Sequence, residues 1–150
     1  MRRKDRMLTE AKTLSILEKG GHGILSVISP EGGPYGVPLN YCLLGGCIYF
    51  HCAAEGRMVG SITANPGVSF CVLGKSKVIP DKFSTDYESC VVQGRVSESF
   101  GEEKQSALEG LIRKYSADFI AEGLKYIERC RDQARVFKIT VESISGKARG

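Results

Sequence analysis

The chain has 150 residues and a formal net charge of +4, which allows one domain with a full core and excludes two comfortable ones. The charge is a mild excess that does not call for nucleic acid, and no apolar run approaches the roughly 18 residues of a membrane span. Arg2, Arg3, Lys4 and Arg6 read as a solvated N-terminal arm, with no aromatics among them to stack bases. A polar, helix-forming stretch follows where a signal peptide would be apolar, so a cytoplasmic protein is expected.

The first element is a helix from about Thr9 to Lys19, capped by Thr9 and ended by Gly20-Gly21, with Ala11, Leu14 and Leu17 facing inward. Gly23–Ser29 reads as a strand and residues 30–34 as a turn. Tyr35–Leu43 alternates, placing Tyr35, Val37, Leu39 and Tyr41 on one face and Gly36, Pro38 and Asn40 on the other. Pro38 cannot donate to a ladder, so this strand is an edge or is bulged. Gly45-Gly46 makes a hairpin into Cys47–Cys52. A short helix from Arg57 to Ala64 stops at Asn65-Pro66.

Val68–Leu73 is a further strand, Gly74–Asp86 a polar loop, and Tyr87–Ser97 the next strand. Ser99-Phe100-Gly101-Glu102 has the form of a capping box, after which Leu108, Leu111, Ile112 and Tyr115 share a helix face. Ile120, Leu124 and Ile127 mark a second amphipathic helix. Phe137, Ile139 and Val141 alternate with Lys138, Thr140 and Glu142 in the last strand. The tail Ile144–Arg149 carries Lys147 and Arg149, which either solvate freely or fold back toward an anion. Hairpin-linked strands with inserted helices predict a single, mainly β domain over residues 1–150, an antiparallel barrel flanked by helices.

Six cysteines, at 42, 47, 52, 71, 90 and 130, are expected to be reduced, with Cys42, Cys52, Cys71 and Cys90 in apolar settings. The spacing Cys42-x4-Cys47-x4-Cys52 lacks the close ligand pairs of zinc sites, and His51 and Cys52, adjacent in a strand, face opposite ways, so no metal site is expected. No catalytic triad, Walker loop or dinucleotide fingerprint is present. The densest segment is strand, tight loop and helix start, from Ile48 to Arg57. A helix N-terminus offers free N–H groups to a phosphate, Gly56 permits close approach, and Arg57 can grip phosphate oxygens in a fork. The plainer alternative is a strand-to-helix loop with a solvated arginine. His51 is open to three roles: proton donor, hydrogen-bond partner of a ring, or buried structural histidine.

Arg2–Arg6, Pro34–Tyr41 (PYGVPLNY), Ile48–Gly56 (IYFHCAAEG), Asn65-Pro66, Tyr87–Val92 and Ile144–Arg149 (ISGKAR) run in order over nearly the whole chain. Together they resemble the pyridoxamine 5′-phosphate oxidase-like superfamily, in the branch of the 5-nitroimidazole-resistance proteins. The resemblance implies a split β-barrel that forms a homodimer and holds FMN where two chains meet; FAD, a deazaflavin and haem are the alternative cofactors among such proteins. It implies that the flavin ring lies along the strand Val37–Tyr41, with Val37, Pro38, Leu39 and Asn40 as its contacts. The phosphate would be met by the loop of His51, Cys52, Ala53, Gly56, Arg57 and Met58, with Ser89 and Lys147 contributing and the partner chain completing the site. It further implies reduction of a small aromatic or nitro compound, with His51 beside the ring or substrate. The same resemblance covers non-catalytic binders of flavin or haem, and a dimeric module with an empty cleft is the third reading. Met58 stands where relatives carry a cation, and Gln93 where they carry an aromatic or apolar residue.

Overall fold

The computed structural model describes residues 3–150; Arg2 of the basic arm lies outside them. Its main elements are α1 (Glu10–Lys19), β1 (Gly23–Ile28), β2 (Pro34–Leu39), β3 (Cys42–Leu44), β4 (Cys47–Ala53), α2 (Arg57–Ala64), β5 (Gly67–Ile79), β6 (Ser84–Ser99), α3 (Gly101–Tyr115), α4 (Ile120–Cys130) and β7 (Ala134–Arg149). All strand pairings are antiparallel, in the order β2-β1-β5-β6-β7-β4-β3.

That order explains the shape. β2 and β3 are the two outermost strands, yet only Asn40 and Tyr41 separate them in sequence. Laid flat, seven strands would put these edges about 29 Å apart, whereas the link from Leu39 to Cys42 spans at most about 11 Å. The sheet must therefore curl until its edges meet. They do not pair, and the result is a split antiparallel barrel.

Leu25, Val27, Phe50, Phe70, Val72, Val92 and Ile139 fill the barrel, with Ile16 and Leu17 of α1 joining them. A second core lies outside the barrel, where Ala107, Leu108 and Leu111 of α3 and Ile127 of α4 cover Cys42, Tyr49 and Val136. Each large apolar side chain taken from water in these cores contributes about 1.5–3 kcal/mol.

Tyr41 is wholly buried in the gap between β2 and β3. Its phenol donates to the carbonyl of Leu17, and its ring lies under the Lys114 ammonium, 3.7 Å from the centroid. Its main chain has no strand neighbour there. The hydroxyl of Tyr115 supplies one instead, accepting from Tyr41 N at 3.1 Å and donating to Gly21 O at 2.6 Å. Tyr115→Phe leaves a partly buried N–H without a partner, and is expected to cost about 1–3 kcal/mol. A urea midpoint unchanged from wild type would show that water replaces the hydroxyl.

Local signals place most elements. Thr9 caps α1 by accepting from Lys12 N, Gly45 and Gly46 take positive φ in the β3–β4 turn, and α2 spans Arg57–Ala64 as expected. Pro38 lies on the edge strand β2. The differences come from long-range pairing. α1 buries Thr13, Ile16 and Leu17 and leaves Ala11 and Leu14 exposed. Residues 74–86 form no loop but a ribbon, since β5 and β6 run past the barrel and pair as far as Ile79 and Ser84. A ribbon wet on both faces carries no apolar alternation, so the strand signal is missing there. The tail is likewise strand, with Lys147 of β7 opposite Ser89 of β6. Ser99 is not a cap: β6 continues through it, its buried hydroxyl has no partner, and Phe100 precedes α3 without a side-chain cap. The residues just after the basic arm are docked on β7, with Met7 bridging Lys147 and Leu8 N donating to Gly146 O at 3.1 Å.

All six cysteines are free, Cys42 and Cys90 buried and the others half-buried. Burial pushes the Cys42 and Cys90 thiols up to about 11, which keeps them protonated at neutral pH. Thiol titration in denaturant without reductant is expected to find close to six; recovery of none would mean that the chain is disulfide-linked.

Candidate functional site

The segment leaving β4 is built by two neighbours. On β4, His51, Cys52 and Ala53 pair with Val136, Arg135 and Ala134 of β7. The chain then turns through Ala54, Glu55 and Gly56. Gly56 has φ 142, a conformation that side chains rarely adopt. No side chain caps α2, and its first turn holds no acidic residue. The leading N–H groups of this eight-residue helix thus lack the partner that Thr9 gives α1. Arg57, exposed, lies over the Tyr35 ring at 4.3 Å from its centroid. Tyr35 belongs to β2, so this stacking joins the loop to the strand of Val37, Pro38 and Leu39 across the split.

The predicted residues differ in what they present. Pro38, Asn40, His51, Ala53, Gly56 and Arg57 are exposed; Val37, Leu39, Cys52 and Met58 are half-buried. Leu39, Cys52 and Met58 pack against the barrel core. His51 opens to solvent and is no buried core histidine, yet enough chain surrounds it to hold its pKa below the ordinary value. Burial thus favours the neutral imidazole, which is able both to donate and to accept.

Ser89 and Lys147 lie elsewhere. They face each other on β6 and β7, with the Ser89 hydroxyl 3.5 Å from the Lys147 carbonyl. The residue of β6 level with His51, through Val136, is Ser99. Ten residues of strand, roughly 33 Å of path, separate Ser99 from Ser89. Beside Ser89, burial raises the Tyr87 phenol, but hydrogen bonds from Arg6 and Lys147 outweigh it and lower its pKa. One chain therefore does not bring the two groups of residues together.

Between them lies a bare surface. The outer face of β2-β1-β5-β6-β7 carries the rows Pro38–Ile24–Cys71–Val91–Ser145 and Gly36–Ser26–Ser69–Gln93–Ser143. Small and apolar side chains dominate it. Ile24 is 40% and Leu73 68% exposed. A separate groove of about 780 Å³ runs between α1 and the β5–β6 ribbon, lined by Lys12, Lys19, Lys75 and Glu88 among others. None of the predicted site residues lines it.

Sequence reading passed over two residues here. Arg135 of β7 and Glu98 of β6 meet in a two-bonded ion pair that also touches the loop after β4. They are 37 positions apart, and no local pattern announces their pairing. Among the described residues, no three His, Cys, Asp or Glu side chains converge in a metal-binding arrangement, and no helix is long and apolar enough to cross a membrane.

Solved structures share this fold. A candidate 5-nitroimidazole antibiotic resistance protein from Bacteroides thetaiotaomicron is similar over 95% of this chain and 86% of its own, at 23% identity and TM-score 0.76. A FAD-binding protein from Mesorhizobium loti matches over 97% and 98%, at 23% identity and TM-score 0.70. A FAD and heme binding protein from Mycobacterium smegmatis matches over 95% and 73%, at 14% identity and TM-score 0.78. At these identities the likeness is one of fold. No curated protein matches the chain in sequence. The family model of pyridoxamine 5′-phosphate oxidase matches residues 9–148, nearly the full length, and the chain belongs to that family.

Proposed function

We propose that this protein binds FMN in a homodimer and uses it as an oxidoreductase on a small aromatic or nitro compound. The observation that carries the reading is that the His51–Met58 loop and the Ser89–Lys147 pair are set apart along β6, with an uncovered small-residue sheet face, on which Pro38 lies, between them. A two-fold axis over that face would set the His51–Met58 loop of one protomer against Ser89 and Lys147 of its partner. An isologous interface of this kind needs one self-complementary patch, and a face rich in Gly, Ser, Ile and Val suits close sheet packing.

The loop fits a phosphate: uncapped N–H groups, Gly56 with open space around it, and Arg57 in reach, with no carboxylate in the first helical turn. The free edge of β2 offers main-chain groups to a flat polar ring. Bound flavin supplies the two-electron chemistry, so the protein needs no nucleophile. The chain's part is to hold the phosphate with Arg57 and the α2 amides. It also lays the ring against Val37–Asn40 and keeps a neutral His51 at hand to donate or accept a proton.

The test is the visible spectrum of the purified protein, FMN titration and sedimentation. A yellow dimer that oxidises reduced nicotinamide in the presence of a nitroaromatic supports the reading. A monomer at micromolar concentration with no flavin uptake would sink it. His51, an exposed neutral imidazole, is also the type of side chain that ligates haem iron. A haem spectrum on reconstitution, with no flavin bound, would select the alternative of a non-catalytic haem binder.

A further inference from the structure

Arg135 uses its guanidinium in three directions that converge on one task. Nε and Nη2 donate to the two carboxylate oxygens of Glu98 at 2.9 and 2.6 Å, and Nη1 donates to the main-chain carbonyl of Ala54 at 3.3 Å. Both side chains are mostly covered, 31% and 23% exposed, and the guanidinium lies 5.1 Å from the Phe137 ring centroid. Ala54 opens the turn that leads to Gly56 and Arg57. Among the described residues, Arg135 makes the one side-chain hydrogen bond to the main chain of residues 54–56.

We propose that Arg135, held flat by Glu98, is the positioning residue of the 54–57 turn, and so sets the FMN-over-riboflavin preference of the loop. A fork bound at both oxygens fixes the plane of a guanidinium, so its remaining donor points in one direction. Without that anchor, a turn that passes through a glycine at φ 142 has little to hold it, and the α2 amides and Arg57 lose their common aim. Charge is not the agent, because Glu98 neutralises Arg135 in place. Ordering the loop before the ligand arrives lowers the entropy lost on binding. This inference rests on the flavin reading above.

Arg135→Lys keeps the charge and loses the fork; Glu98→Gln keeps the shape and loses the charge that holds it. Each is expected to weaken FMN about tenfold while riboflavin changes less than about twofold. The double variant should lose no more than either single variant, because both break one unit. Amide exchange should quicken at residues 54–58 and stay slow in β5. Equal losses for both ligands, additive losses, or unchanged exchange at 54–58 would overturn the proposal. A wild-type protein that binds neither ligand would overturn the flavin reading alone, and the exchange comparison would then decide the anchor by itself.

Discussion

Arg57→Ala is expected to weaken FMN binding by roughly ten- to a hundredfold and to leave riboflavin nearly unchanged. A charge-assisted hydrogen bond contributes about 1.5–3 kcal/mol, which is that range in affinity. The structure makes the contrast between ligands clean. Arg57 is exposed and touches the barrel through the Tyr35 ring alone among the described aromatic contacts, so its loss should scarcely disturb the fold. An exposed cation–π contact is worth about 0.5–1 kcal/mol, which bounds the expected stability change. Met58→Lys should act in the opposite sense on FMN. Met58 packs against the barrel core, so the added charge comes with a stability loss of about 1 kcal/mol. Isothermal titration with both ligands measures the pair. Equal losses for FMN and riboflavin, or none for either, would return Arg57 to the status of a solvated surface residue and place the phosphate elsewhere.

Gly94→Ala is expected to be the most damaging single methyl in the chain, and Gly60→Ala to stabilise. Gly94 sits where the β6–β7 register shifts. A Cβ there would lie 2.9 Å from Ile139 Cγ2 and 3.2 Å from the Thr140 carbonyl carbon, with the Thr140 oxygen nearer still. The obstacle is main chain in the longest strand pair of the barrel, which cannot turn aside as a flexible side chain does. Overpacking of this kind costs about 3 kcal/mol, a fall in Tm of roughly 6–12 °C for a chain of this length. Gly60 is exposed within α2 and has nothing within 4 Å of a built Cβ. Alanine there gains about 1 kcal/mol of helix propensity, or roughly 2–4 °C. Calorimetry on the two variants should give shifts of opposite sign. A Gly94→Ala protein that melts with the wild type would show that the register shift absorbs a methyl.

Of the proposed site, the local backbone of one half was legible in the sequence. The loop from His51 to Arg57 was legible because strand, turn and short helix are consecutive, and each has a local cause: the apolar run of β4, the conformational freedom of Gly56, and the stop at Asn65-Pro66 that bounds α2. Met58 was legible as a departure, but its reason, packing against the barrel core, was not. Ser89 and Lys147 entered through family resemblance, and the sequence carried no hint that they lie a strand's length from His51. Arg135 and Glu98 left no trace at all, since a salt bridge between distant strands has no periodicity.

The sequence by itself determined the short-range units: the Thr9 cap of α1, the Gly45-Gly46 hairpin, the extent of α2 and the alternation that opens β7. Each follows from propensities and sterics acting within a few residues. Only the tertiary structure decided that β2 and β3 part at Asn40-Tyr41 and that β5 and β6 run on as a polar ribbon. It also decided that Ile144–Arg149 is strand and that Ser99 is not a cap. These outcomes depend on closing the barrel and on which strand lies beside which. A partner strand supplies hydrogen bonds to any sequence that can extend, polar or apolar, so pairing leaves no pattern of its own in the residues it orders.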